Sequence, residues 1–138
     1  TIVGITRGVN KYHMIRATLE SMAYQVRDVL DVMEKDSGIV LSLLNVDGGA
    51  STNDFLMQTQ ADFCNVRVER PKCVETTALG VAYLAGLAVG FWNSIEDIKG
   101  SRSIDKVFTP NLCEEVRKEK IRMWKKAVKY AFGWAKED

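Results

Sequence analysis

Seven consecutive residues, Asp47-Gly48-Gly49-Ala50-Ser51-Thr52-Asn53, carry the chemistry most easily argued from residue type and spacing. Paired glycines let the backbone approach a ligand with no Cβ in the way, and Ser, Thr or Asn accepts from the free N–H groups of a helix start. Those N–H groups and the helix dipole favour phosphate. The same residues also suit a tight strand-to-helix turn for steric reasons alone, so spacing leaves both readings open. The run is neither a P-loop, since no Gly-Lys-Ser/Thr follows, nor GxGxxG. Asp47 closes a strand, where α/β proteins commonly bind ligands. Glu20, Asp28, Asp31, Glu34 and Asp36 read instead as the solvated side of a helix.

Little else in the chain offers chemistry. His13 is the sole imidazole, so a His-dependent triad or a His-rich metal site has no material. Cys64, Cys73 and Cys113 form no CxxC pair and are odd in number, which excludes a disulfide framework and a zinc site and suits a reducing cytoplasm. The basic run Arg117, Lys118, Lys120, Arg122, Lys125, Lys126 and Lys129 could contact phosphates, but it is interleaved with Glu114, Glu115 and Glu119 and reads as a solvated outer face in preference to a nucleic-acid-binding one.

The elements that must position the Gly-Gly turn follow from periodicity. Ile15, Leu19, Met22, Val26, Val29 and Met33 alternate spacings of four and three, a helix that Ser37-Gly38 should stop. Ile39–Val46 is dense in branched apolar residues and reads as a buried strand entering the turn. A second helix should start near Ser51, Thr52 or Asn53 and run through Phe55, Leu56, Thr59 and Phe63. Val66–Arg70 alternates before Pro71, a short strand near a sheet edge, which makes a βαβ unit. Thr76–Phe91 is apolar nearly all round, with Ala78, Ala82, Gly86 and Gly90 at spacing four, so a tightly packed core helix is expected. Asn93–Thr109 reads as one long loop. Leu112–Lys136 has a seam of Trp124, Ala127, Val128, Ala131, Phe132 and Ala135, an amphipathic helix packed on the body.

The resulting class is α/β, with two or three strands shared among about four helices. So few strands leave edges unpaired, and the chain opens on apolar Thr1-Ile2-Val3-Gly4-Ile5 with no Met; further strands are expected upstream of Thr1. The 138 residues are 46% hydrophobic and 27% charged, which fits a folded domain and excludes disorder or collagen. Nineteen basic against eighteen acidic residues leave +1, no field to gather nucleic acid or an anionic membrane. The apolar stretch Ala78–Trp92 is 15 residues. That is short of the roughly 18 to 20 a bilayer span needs.

Seven stretches carry a family resemblance. Ile2…Gly4-Ile5 with His13-Met14-Ile15-Arg16-Ala17-Thr18-Leu19-Glu20 resembles the second signature of the FGGY carbohydrate kinases, which share the actin-like (ribonuclease H-like) ATPase fold. Leu19–Leu30, Val46–Ala50, Phe55–Gln58, Glu75–Gly80 and Gly86–Trp92 resemble the glycerol-phosphorylating members in particular. The resemblance covers the whole chain and implies that residues 1–138 are the C-terminal part of the C-terminal, nucleotide-binding domain. It further implies ATP- and Mg²⁺-dependent phosphorylation of glycerol to sn-glycerol 3-phosphate, a cytoplasmic enzyme, and a full-length protein that forms homo-oligomers, with no nucleic-acid or membrane partner. In the family the Gly-Gly turn, here Gly48-Gly49, and the following helix start belong to the nucleotide site; Gly49 matches the glycine whose backbone approaches the nucleotide, and Asn53 matches the asparagine one helical turn on that contacts the adenine end. The catalytic base, glycerol-binding residues, Mg²⁺-associated carboxylates and phosphate-binding threonines of the family lie before Thr1, so no catalytic or metal residue is expected within this chain. Some bacterial members are regulated through a segment corresponding to Pro110–Lys120; Val116 stands where they have a zinc-ligating glutamate. Another sugar or polyol kinase of the family, and a stand-alone interaction module, are the rival readings.

Overall fold

The computed structural model describes residues 1–101 and 103–133. In chain order it contains α1 (Lys11–Ser37), β1 (Leu43–Asn45), a 3₁₀ turn (Gly49–Thr52), α2 (Asp54–Cys64), β2 (Arg67–Pro71), α3 (Thr76–Ala88), α4 (Ile95–Ser101), β3 (Ile104–Phe108) and α5 (Glu114–Ala131). The three strands form one sheet in the order β1-β2-β3. β1 and β2 are parallel, with Leu44 opposite Val68, and α2 is their crossover. β3 runs antiparallel to β2, Phe108 opposite Val68 and Lys106 opposite Arg70.

Helix boundaries follow local chemistry. Asn10 caps α1 by accepting from the N–H groups of Tyr12 and His13, while His13 Nδ1 accepts from the Asn10 N–H at 3.2 Å; the sole histidine is a capping residue. Gly38 ends α1 in the left-handed region, as Ser37-Gly38 predicts. Asn65 ends α2 likewise, and Arg27 of α1 donates to the carbonyls of Phe63 (3.2 Å) and Cys64 (2.9 Å) in its last turn.

The core lies between α1, α2 and the sheet: Ala23, Leu56, Met57, Ala61, Phe63, Val68 and Phe108. Each large side chain buried this way contributes roughly 1.5–3 kcal/mol of transfer free energy. α5 docks on the rim. Its Trp124 stacks on Tyr24, ring centroids 5.0 Å apart, and donates from Nε1 to Asp28 at 2.7 Å. Trp124, Ala127, Val128 and Ala131 are half-buried as the seam requires, whereas Phe132 lies beyond the helix end and is exposed; Ala135 and Lys136 lie outside the described residues.

Several expectations are corrected. Residues 93–109 hold α4 and β3, not one loop: β3 is a five-residue strand whose apolar ends Ile104 and Val107-Phe108 bracket two charges, too short for periodicity to reveal. With β3 in place β2 is the central strand, not an edge strand, and its bulge between Arg70 and Pro71 accommodates the proline. β1 is only three residues long; Ile39 and Val40 are exposed, and the Glu34 carboxylate takes the Leu41 N–H at 2.7 Å. α1 buries Ala23 and Leu30, while Ile15, Met22, Val26, Val29 and Met33 of the expected seam are exposed. α3 is the largest departure. Expected in the core, it leaves Val81 and Leu84 exposed, Leu84 by 71%, because a three-stranded sheet offers no second layer to cover an all-round apolar helix. The close approach at Gly86 is made by the Trp92 ring, with which a Cβ there would collide.

Candidate nucleotide-binding turn

The turn after β1 brings Gly48, Gly49 and Asn53 into one short piece of backbone. The Gly48 N–H donates to the Val74 carbonyl at 2.8 Å, and the residue holds φ 73°, ψ 172°, a region essentially confined to glycine. Gly48 is therefore required by the chain itself. Gly49 is not: its φ lies outside the left-handed region and a Cβ there meets no atom within 4 Å. The 3₁₀ turn closes through Ser51, whose N–H (3.1 Å) and hydroxyl (2.7 Å) both donate to the Gly48 carbonyl, and through the Thr52 hydroxyl to Gly49 (2.7 Å). Of the three residues offered by the sequence as a helix start, Asn53 is the cap: its Oδ1 accepts from the Leu56 N–H at 3.0 Å. That leaves the Asn53 Nδ2 donors without a partner among the described residues.

Two straps hold this turn. On one side the Thr76 hydroxyl, at the start of α3, donates to Asp47 Oδ2, beside the Gly48–Val74 bond. A carboxylate at that helix start is also favoured by the dipole. Asp47 is thus a tether between β1 and α3.

On the other side stands a cluster that sequence reasoning missed. Arg70 and Lys106 are directly opposite across β2 and β3, which as like charges would repel. Asp54, the first residue of α2, accepts from both: Oδ1 from Arg70 Nη1 at 2.8 Å and Oδ2 from Lys106 Nζ at 2.6 Å. Arg70 also donates from Nε to Asp105 (2.8 Å) and from Nη1 to the Ser51 carbonyl (2.8 Å), and its cation lies 5.5 Å from the Phe108 ring centroid. Lys106, and after it Arg70, hold the Asp54 carboxyl below its ordinary 3.8, and Asp105 holds the Arg70 guanidinium above its usual range. The only signal in the sequence was Arg70 closing an alternating strand; its partners sit in the turn, at the start of α2 and in β3, the last of which no pattern announced.

A groove of about 590 Å³ opens next to the turn, between the ends of β1 and β2 and the helices α3 and α4, lined by Val46, Asp47, Pro71, Leu79, Tyr83 and Ile98 among others. It touches the turn at Asp47 but contains neither glycine nor Asn53. Its lining is mainly apolar, and its Asp47 and Thr76 bond each other. It is the gap left where α3 does not close on the sheet, and the polar turn is the better candidate for a charged ligand. On α5 the Lys118 and Glu114 side chains pair, as do Arg122 and Glu119 at 2.7 Å, the behaviour of a solvated face. Among the described residues no group of three His, Cys, Asp or Glu is placed to hold a metal ion, and no helix is long and apolar enough to cross a membrane.

A parallel βαβ unit with a Gly-Gly turn at the carboxyl end of its first strand is the frame on which comparison with known proteins bears. The profile described as FGGY family of carbohydrate kinases, C-terminal domain, matches residues 1–89, and the chain belongs to that family. Within it the chain is similar to glycerol kinases. It is 65% identical over 138 residues to the glycerol kinase of Agathobacter rectalis, covering 100% of this chain and 28% of that protein. It is 62% identical over 135 residues to that of Vibrio cholerae, covering 98% and 27%. The fold matches a crystal structure of Plasmodium falciparum glycerol kinase with ADP at TM-score 0.86 and 37% identity, over 96% of this chain and 26% of that one. A ligand-bound xylulose kinase from Lactobacillus acidophilus matches at 0.79 and 26% identity, over 98% and 27%. The chain thus spans little more than a quarter of the length of these relatives.

Proposed function

We propose that the chain forms the C-terminal part of the nucleotide-binding domain of a cytoplasmic glycerol kinase, which phosphorylates glycerol to sn-glycerol 3-phosphate. The carrying observation is the likeness to glycerol kinases over the whole chain, Gly-Gly turn included. ATP supplies the γ-phosphoryl group. Gly48, Gly49 and Asn53 line its adenine-nucleotide side: Gly48 sets the backbone path, Gly49 admits the ligand, and Asn53 offers Nδ2. The residues fit such a group, since the position a Gly49 Cβ would fill is open and the Asn53 amide donors are uncommitted. The start of α2 faces the same turn with its dipole. Mg²⁺, the catalytic base and the glycerol site are assigned to the rest of the polypeptide, which also covers the apolar surface of α3 and forms the homo-oligomer.

The second reading, a family member with another sugar or polyol substrate, is favoured by the shared fold of the xylulose kinase. A substrate panel separates the two. Full-length protein with ATP and Mg²⁺ is expected to release ADP with glycerol and not with xylulose or gluconate, and the 138 residues alone are expected to release none. Turnover with xylulose at the higher kcat/KM would replace the first reading with the second.

A further inference from the structure

We infer that Arg70 is a positioning residue for the nucleotide turn, setting the placement of Asn53 through the residues on either side of it. The inference rests on the reading of that turn as the nucleotide site.

Four observations carry it. The Arg70 side chain is only 11% exposed, so the guanidinium is held in one place. Its Nη1 donates to the Ser51 carbonyl and to Asp54 Oδ1, each at 2.8 Å, so one nitrogen grips the residue two before Asn53 and the residue one after it. Ser51 is in turn locked to Gly48 by its own N–H and hydroxyl, so the grip passes to the start of the turn. The guanidinium is itself aimed by Asp105, which accepts from Nε at 2.8 Å and lies 2.7 Å from Nη2. A planar fork fits this geometry, because Asp105 fixes one edge while the far nitrogen reaches the turn. The chain Asp105–Arg70–Ser51/Asp54 thus links β3 to the turn through a side chain, whereas the β2–β3 ladder is held by backbone pairing that does not need the guanidinium.

The test uses the full-length kinase and three variants, Arg70→Met, Arg70→Lys and Asp105→Asn. Kd for ADP is measured by calorimetry, and KM for glycerol with ATP saturating. Arg70→Met is expected to weaken ADP roughly five- to tenfold while KM for glycerol stays within about twofold, with Arg70→Lys and Asp105→Asn between it and the parent. The split is the readout that a general loss of packing would not give. Unchanged ADP affinity in the Arg70 variants, or equal weakening of ADP and glycerol, overturns the proposal. Should Arg70→Met not fold, the other two variants decide by the same criteria. Gly49→Val, run in parallel, separates the two levels. If it leaves ADP binding intact, the turn is not the nucleotide site and the proposal falls with that reading; if it weakens ADP and the Arg70 set does not, only the positioning role fails.

Discussion

The two glycines of the turn should answer substitution in opposite ways. At Gly48, with φ 73° and ψ 172°, an alanine is forced into a region that L side chains avoid, a cost of about 1–3 kcal/mol. At Gly49 nothing lies within 4 Å of an added Cβ and the backbone is ordinary. Alanine there narrows the unfolded ensemble and should stabilise by roughly 0.4–1 kcal/mol. The two single substitutions are therefore separated by about 1.5–4 kcal/mol in folding free energy. Urea denaturation of the full-length protein without nucleotide measures the first half: the Gly48→Ala midpoint falls, the Gly49→Ala midpoint holds or rises. Titration with ADP measures the second. If the glycine at 49 exists for the ligand, Gly49→Ala weakens ADP and Gly49→Val weakens it further, by roughly ten-fold or more if one charge-assisted hydrogen bond from the turn is lost. Binding and stability then move apart at one residue. A drop in stability at Gly49→Ala, or parental ADP affinity in Gly49→Val, refutes the reasoning, because the glycine would then serve the fold and not the nucleotide.

Two further outcomes are expected. Burial pushes the Cys64 thiol up to about 11, so in the native protein it should be the last of the three cysteines to react with a thiol reagent near neutral pH, and urea should expose it; early labelling at Cys64, located by peptide mapping, would contradict its burial. Asp54 is held below 3.8 by Lys106 and Arg70, so its contribution is fully present above its unfolded value and is lost as pH falls through the folded one. Asp54→Asn should accordingly lower the urea midpoint at about pH 6, and the difference from the parent should shrink as the pH is taken down below the carboxyl's ordinary 3.8; a difference that stays constant with falling pH would exclude the linkage.

How far the sequence disclosed this arrangement depended on whether a residue's partners were near it in the chain. Gly38 and Asn53 act on backbone within a few residues, and each was legible from cap chemistry; Trp124 was legible as a seam position of its own helix, but its partners Tyr24 and Asp28, far away in the chain, were not. The turn itself was legible as glycines before a cap, but not the reason for each glycine: only φ 73° at Gly48 and the open space at Gly49 separate one imposed by the backbone from one free of it. Arg70 was seen as the polar end of an alternating strand, and its role depends on Ser51, Asp54 and Asp105, all distant in sequence, the last of them hidden in a strand too short to show a period. α3 misled for another reason. Uniform apolarity reports that a helix is to be covered, not that this chain supplies the cover, and Val81, Leu84 and Val89 remain bare.

The stack of Tyr24 between Phe63 at 4.3 Å and Trp124 at 5.0 Å has a consequence for how the chain comes apart. No residue of α5 is fully buried, and its hold on the body passes through this aromatic sandwich, the Asp28 bond to Trp124 and a 3.5 Å contact between Lys120 and Glu20. A helix joined along one seam detaches as its own cooperative unit, at a lower free energy than the α1–α2–sheet core. Because the indole is itself the fastener, its emission registers undocking while the core, centred on Val68 and Phe63, stays intact. The C-terminal helix therefore behaves as a latch that carries its own reporter.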